Sequence, residues 1–236
     1  MAYSYIIFMR LPDIQFVGLD SNLSLALLGL DDVEIGPSRN EWNYYESDLF
    51  STIRGSTSLD DIKDDPIFRS YRDLYWKHGM DPTKLRVSSE ALLRRIVNGQ
   101  NLWRISSLVD VANLVSAMHK LPIGLVDVSK CEGELQVRTA KKGEPFTRIG
   151  ATEPRICTGR ELVLADSTRI VCFGFATHDS DFTKVTRGTS QAYLLIYGAP
   201  EVSFDYLDSA AQKTRQMIER WVQCRLTDFQ IFKNQV

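Results

Sequence analysis

Apolar positions along the chain recur at two different spacings, and the switch between them sets the predicted fold. From residue 66 to 119 the spacing is helical. Pro66 suits the first turn of a helix, where its missing N–H costs nothing. Phe68, Tyr71, Leu74 and Tyr75 then share one face, and Gly79 ends the run. Ser88 reads as an N-cap, with Glu90 in the first turn. Leu92, Leu93, Ile96 and Val97 follow as a stripe closed by Gly99. Leu108, Val109, Ala112, Val115 and Met118 make a third stripe, stopped by Pro122. Beyond Pro122 the period falls to two: Leu135, Val137 and Thr139 alternate with Glu134, Gln136 and Arg138, as in a half-buried strand. Residues 161–165, 169–176 and 191–197 are rich in Val, Ile, Leu and aromatics and predict three more strands. A last stripe runs from Leu207 through Ala210, Ala211, Thr214, Met217 and Ile218 to Trp221 and Val222. The pattern therefore predicts helices near 67–78, 88–98, 106–119 and 205–226. Helices, then strands, then a helix is an α+β order: a mixed or antiparallel β core flanked by helices, not the alternation of a doubly wound sheet.

Residues 1–35 carry short apolar runs broken by Gly18 and Gly29 and predict a strand and a short helix. Residues 36–65 are polar, with Pro37 near the start and the acidic run Asp60 to Asp65, and read as an extended linker. Trp42, Tyr44 and Tyr45 within it can pack back on the body. The expected division is an acidic N-terminal segment over 1–65, packed on or linked to the body, and one domain over 66–236. Charge follows it. Residues 1–83 hold 7 basic and 14 acidic side chains, 84–148 hold 11 and 6, and 149–236 hold 10 of each, which sums to the net −2. The basic middle is compatible with a phosphate-bearing partner such as RNA. The acidic N-terminal part argues against broad, non-specific nucleic-acid binding.

Other classes recede. The longest apolar run falls well short of the roughly 18 residues of a membrane span. The N-terminus lacks the basic-then-apolar layout of a secretory signal, so no membrane association and a cytoplasmic location are expected. Cys131, Cys157, Cys172 and Cys224 are spread singly and read as buried free thiols. Neither they nor His78, His119 and His178 show the close spacing of a zinc site. His178-Asp179-Ser180-Asp181 lacks a third carboxylate nearby and reads as a solvated turn between strands. His119, at a helix end, reads as a cap favoured by the helix dipole. Nucleotide-binding loops, nucleophile elbows and zinc-protease motifs are absent.

The informative stretch runs from Trp103 and Arg104 through Ser106-Ser107-Leu108-Val109-Asp110-Val111-Ala112-Asn113-Leu114-Val115 to Leu121-Pro122-Ile123-Gly124-Leu125-Val126-Asp127. Ser106 or Ser107 caps a helix, and Asp110 and Asn113 lie one turn apart on its more polar face. Asn113 offers both a donor and an acceptor; read alone, the pair can equally pin the helix to a loop. This stretch resembles the part of the phenylalanyl-tRNA synthetase β-subunit B3/B4 editing domain that reads V-V-D-V-T-N-Y-V, then Q-P-x-H-A-F-D. The resemblance continues through Gly133 to Ala140, Lys142-Gly143-Glu144, Leu162 to Asp166, and Val185-Thr186 with Thr189 ahead of Leu194-Leu195. Trp76 to Lys84, with Ser89 to Arg95, is similar to the opening of free-standing members. In all it covers residues 66–226.

The resemblance implies that fold and an aminoacyl-tRNA deacylase, which hydrolyses the ester joining a wrong amino acid to the terminal adenosine. Synthetic sites separate near-isosteric side chains by only about 10–200-fold per methylene, which creates the need for a second, hydrolytic sieve. A mischarged tRNA and a synthetase are the implied partners, and no cofactor or metal is implied. The implied catalytic residues are Asn113 and Arg104. Ser107, Ala112, Gly124, Gly174 and Leu195 are the implied substrate-binding residues. Arg94, Arg95, Arg138, Lys141 and Lys142 are candidates for RNA contact, with Arg104 bordering the same face. Three positions depart from the family pattern: Gly124 replaces the His of Q-P-x-H, Ala112 a Thr, and Leu195 a Glu. A wall less polar than in the synthetase domain is therefore expected, one that leaves a tyrosine hydroxyl unpaired at roughly 1–3 kcal/mol. The alternatives are a non-catalytic tRNA- or ligand-binding module of the same fold, and a small-molecule hydrolase that reuses the pocket.

Overall fold

The computed structural model describes residues 9–234. Two strands open the chain, β1 (Ile14–Val17) and β2 (Ser24–Glu34). Five helices follow: α1 (Asn40–Ser56), α2 (Leu59–Asp64), α3 (Pro66–Lys77), α4 (Ser88–Val97) and α5 (Ser107–His119). The strand-rich half holds β3 (Ile123–Asp127), β4 (Leu135–Thr139), β5 (Pro145–Phe146), β6 (Arg155–Ile156), β7 (Leu162–Ala165), β8 (Ile170–Phe173), β9 (His178–Asp179) and β10 (Ala192–Gly198). The last elements are α6 (Phe204–Trp221), β11 (Gln223–Leu226) and β12 (Gln230–Lys233). The fold is α+β. One mixed sheet has the order β1-β4-β7-β8-β9, with β1 and β4 parallel and the rest antiparallel. A second, antiparallel sheet has the order β11-β2-β10-β3, with β12 also on β2, and β5–β6 form a hairpin of their own. Among the described residues no helix is long and apolar enough to cross a membrane.

Local chemistry accounts for four of the six described helix starts; α1 and α4 have no side-chain cap, and Ser88, expected as an N-cap, is instead the first residue inside α4. Asp65 accepts the Ile67 N–H at 2.9 Å, with Pro66 at the first helical position of α3. Ser58 and Asp61 cap α2 reciprocally, and the hydroxyls of Ser106 and Ser203 cap α5 and α6. Lys120 ends α5 in the left-handed region at φ 58°. The buried faces of α3, α4 and α6 follow the stripes read from the sequence, whereas α5 is buried nearly all round, with Val111, Leu114 and Ala117 inside and Val109 and Met118 only half-buried. Helices α5 and α6 pack on each other, α6 against β2 and β10, and α5 against β3.

Four expectations are corrected. Residues 36–65 form helices α1 and α2 rather than an extended linker. Trp42, Glu46 and Phe50, spaced by four, are buried on α1, and Trp42 and Tyr45 pack against Trp221. Of the opening region, the described residues 9–35 hold two strands and no helix; β2 pairs residue for residue with β10 over Ser24–Leu30. The final helix stops at Trp221, and residues 223–226 leave it to hydrogen-bond the edge of β2 as β11. The wide strand expected over 169–176 ends at Phe173, because Gly174, Phe175 and Ala176 all have positive φ and reverse the chain.

Helix α3 ties the two sheets together. The fully buried Tyr71 hydroxyl donates to the Tyr197 carbonyl on β10. The Tyr75 hydroxyl shares a 2.7 Å hydrogen bond with the Thr177 hydroxyl in the turn after β8.

Candidate functional site

The segment leading into α5 is held by buried acids. Asp110, 2 % exposed, accepts the Ser38 hydroxyl at 2.6 Å and the Ile105 N–H at 2.9 Å. It pins the helix to the loop before α1, which is the plainer of its two sequence readings. Arg104 is similarly occupied. Its guanidinium donates to both carboxylate oxygens of Glu46 on α1, at 2.7 and 2.6 Å, and to the Asn43 amide oxygen. Glu46 is 2 % exposed, so this is a bidentate pair with one buried partner. Ser107 begins α5 and lines a surface groove of about 780 Å³ with Arg39, Arg187 and Trp221. Ala112 is buried. Asn113 is half-buried, its side chain makes no hydrogen bond with the described residues, and it does not line that groove.

Gly124 and Leu195 do come together, facing each other across β3 and β10. At their side the two sheets meet edge to edge. Asp179 on β9 reaches from the mixed sheet, and its Oδ2 accepts the Leu125 N–H of β3 at 3.1 Å. Its Oδ1 lies 2.9 Å from the point a Cβ on residue 124 would occupy, and the Tyr197 hydroxyl lies 3.3 Å from that point. Cys172 faces Asp179 across β8 and β9. The surroundings of Gly124 therefore hold a carboxylate and a phenol hydroxyl that the sequence reading of a less polar wall did not include. The missing side chain at 124 makes room for a carboxylate from another strand. Gly124→Ala places a methyl inside that contact and is expected to cost about 1–3 kcal/mol of overpacking, read as a lowered midpoint in chemical denaturation. An unchanged midpoint would mean that the carboxylate moves aside freely. Gly174 sits on the turn behind β8, at φ +69° and against Thr177, rather than beside Gly124 on β3.

Electrostatics distinguish Asp179 from the other groups here. Burial pushes its carboxyl up to about 6, partly offset by the Leu125 N–H and by Cys172. The residue keeps part of its surface open to solvent. The Tyr197 hydroxyl beside it is fully buried and unpaired, and burial raises it well above the usual phenol range. The thiols are poor nucleophiles: burial pushes Cys157 and Cys224 up to about 11, Cys131 to about 12 and Cys172 further. Of the four, Cys157 and Cys172 are buried and the other two half-buried. Among the described residues no three His, Cys, Asp or Glu side chains gather as a metal ion requires. The sequence reading missed Asp179 by taking residues 178–181 for a solvated turn. His178 and Asp179 form a half-buried strand.

The motif residues behind the resemblance meet in space. The Thr189 hydroxyl donates to Asp127 at 2.7 Å, joining the L-P-I-G-L-V-D segment to the strand approach of β10. Arg138 and Glu144 form a bidentate pair at 2.9 and 2.6 Å. The B3/4 domain family matches residues 70–221. This chain belongs to that family. It is 32 % identical over 88 residues to the phenylalanine–tRNA ligase beta subunit of Fusobacterium nucleatum subsp. nucleatum; the match covers 37 % of this chain and 11 % of that protein. The B3/4 chain thus spans about a tenth of the curated relative. Among solved structures, an N-terminal fragment of the phenylalanyl-tRNA synthetase beta-subunit from Pyrococcus horikoshii aligns with a TM-score of 0.43 and 16 % identity. That alignment covers 52 % of this chain and 43 % of the other.

The basic residues singled out for RNA contact are unequally free. Arg94 is paired with Glu90 at 2.8 Å, and Arg95 lies over the Trp103 ring and donates to the Asn101 carbonyl. Arg138 and Arg104 are committed to Glu144 and Glu46. Lys141 and Lys142 are exposed and form no ion pair among the described residues.

Proposed function

We propose that this B3/4 chain hydrolyses the ester bond of mischarged aminoacyl-tRNA. The observation that carries the reading is the Asp179 carboxylate at Gly124, the position of the histidine in the Q-P-x-H pattern, on a chain of the family named above. A carboxyl with a pKa of about 6 is ionised at neutral pH and still basic enough to accept a proton from water. In the proposed reaction Asp179 takes that proton as the water oxygen bonds to the ester carbonyl carbon. The tetrahedral adduct then collapses, the bond to the ribose oxygen breaks, and that oxygen recovers the proton. Asn113, whose amide has no partner among the described residues, is proposed to orient the ester or the water. The mixed surface of the molecule, with Lys141 and Lys142 free, fits a tRNA partner; a synthetase partner and a cytoplasmic setting belong to the same proposal.

The test is a deacylation panel of charged tRNAs with the purified chain. Hydrolysis of at least one mischarged species is expected. Asn113→Ala is expected to lower its rate about 10²-fold, as loss of one oriented donor does, with the melting temperature nearly unchanged. A panel with no turnover, given intact tRNA binding, would instead establish the non-catalytic binding module.

A further inference from the structure

The hairpin β5–β6 and its flanks, residues 141–160, carry five basic side chains (Lys141, Lys142, Arg148, Arg155 and Arg160) and two acidic ones. Of the acids, Glu144 is bound to Arg138, outside the hairpin. Arg148 and Arg155 converge on one cavity of about 270 Å³, whose lining also includes Phe146, Glu153 and His178. Neither arginine forms an ion pair or a side-chain hydrogen bond with the described residues. Glu153 is exposed and pairs with neither.

Both are held at fixed positions by the backbone. Arg148 bridges to Ser180, and the Ile149 N–H donates to the Asp179 carbonyl at 3.1 Å. Arg155 pairs with Phe146 across the hairpin, and its guanidinium lies 4.9 Å from the Phe173 ring centroid. Phe146 in turn stacks on Phe173 at 5.3 Å. His178, opposite Phe173 on β9, is the residue next to Asp179. Its imidazole is held below its ordinary pKa by burial and by the two arginines, so it faces the cavity neutral, with one donor and one acceptor.

Two guanidinium groups that Glu153 does not neutralise, on positions anchored by the backbone over an aromatic floor and beside a neutral histidine, form a receptor for a tetrahedral oxyanion. A free phosphate compound and a strand of RNA offer the same group. The strand is favoured by the exposed Lys141 and Lys142 on the same hairpin, which extend the positive charge beyond one phosphate. We propose that the Arg148–Arg155–His178 cavity binds a backbone phosphate of RNA, next to the junction that carries Asp179. The choice of RNA rests on the function proposed above; the anion site itself does not.

The test uses the full chain and an unacylated RNA hairpin with a single-stranded 3′ end, followed by fluorescence anisotropy at several salt concentrations. Replacing both Arg148 and Arg155 by alanine is expected to weaken binding at low salt about tenfold or more and to lower the salt slope by about 1–2. Replacing both by lysine is expected to keep the slope, which separates lost charge from a damaged fold. Equal affinity and slope in the alanine variant would overturn the proposal. Pyrophosphate is titrated in parallel. If it needs both arginines while RNA ignores them, the cavity takes a free phosphate compound and the RNA assignment falls. Arginine-dependent RNA binding in a chain that hydrolyses no aminoacyl-tRNA would leave this site standing and remove the deacylase reading.

Discussion

Asp179→Asn is expected to lower ester hydrolysis by about 10²-fold or more, the usual worth of a positioned general base, while leaving the protein at least as stable at neutral pH. The asparagine oxygen still accepts the Leu125 N–H, so the contact between β9 and β3 survives. The effect on stability follows from the raised pKa. Well below pH 3.8 the carboxyl is protonated folded and unfolded, and it costs nothing. As pH rises from there, the unfolded chain ionises first, near its ordinary value of 3.8, whereas the folded chain holds its proton to about 6. Unfolding therefore releases protons in this window, and the contribution of Asp179 to stability falls as pH increases. Above pH 6 the folded protein carries a desolvated charge at a cost of about 3 kcal/mol, the worth of a shift from 3.8 to about 6. The variant lacks that charge, so its stability advantage grows as pH rises from 3.8 to about 6 and vanishes well below 3.8. Activity has the opposite sign. In the native chain it is expected to rise through pH 6 as the carboxylate forms, and that limb is expected to be missing in the variant. Wild-type turnover in Asp179→Asn, or a variant profile that keeps the inflection near pH 6, would remove Asp179 from the chemistry.

Arg104→Ala is expected to be the most destabilising of the substitutions at polar sites. Glu46 is 2 % exposed and is answered by both arms of the Arg104 guanidinium, with Asn43 beside them. Without the arginine, a buried carboxylate is left uncompensated, which costs about 3–5 kcal/mol. The lower figure applies because the arginine side itself keeps 39 % exposure. A loss of about 3 kcal/mol lowers the melting temperature of a chain of this size by about 6–12 °C. Pairing the change with Glu46→Leu removes the stranded charge and is expected to recover much of that loss. Calorimetry on the single and double variants reads both effects. Hydrolysis per folded molecule is expected to change only a few-fold, because the guanidinium is committed to α1. A hundredfold rate loss in a fully folded Arg104→Ala protein would return this arginine to the site.

The contrast between these two residues separates what a linear reading reaches from what it does not. The stripes of α3, α4, α5 and α6 were legible because each is set by residues three and four apart, and their caps at Asp65, Ser106 and Ser203 lie beside the helices they start. The α+β order and the family were legible for a related reason: the motifs occur in sequence order, and their spacing can be compared directly. Strand β2 was not. It lies inside a sheet with neighbours on both sides, and Leu25, Ala26, Leu27 and Leu28 are all fully buried, so its run is continuous and carries no alternation. Helix α1 was hidden because few of its residues are apolar. Its buried face is Trp42, Glu46 and Phe50, and the charged member belongs there only because Arg104 arrives from 58 residues away.

The same reasoning divides the candidate site. Sequence by itself singled out Gly124 and Leu195 as members of one shared pattern; the register of β3 and β10 then set them opposite each other. It also determined that position 124 brings no side chain of its own. Which group fills that space was decided only by tertiary structure. Asp179 is 54 residues from the Leu125 N–H it accepts, and nothing local to residues 178–181 distinguishes a buried strand from a solvated turn. A side chain's pKa and availability depend on the solvent it loses and the charges it meets, and both are properties of the packed chain. Burial pushed the Asp179 carboxyl up to about 6, while Glu46 and Glu144 drew Arg104 and Arg138 into the fold and left the exposed Arg148 and Arg155 with no ion pair among the described residues.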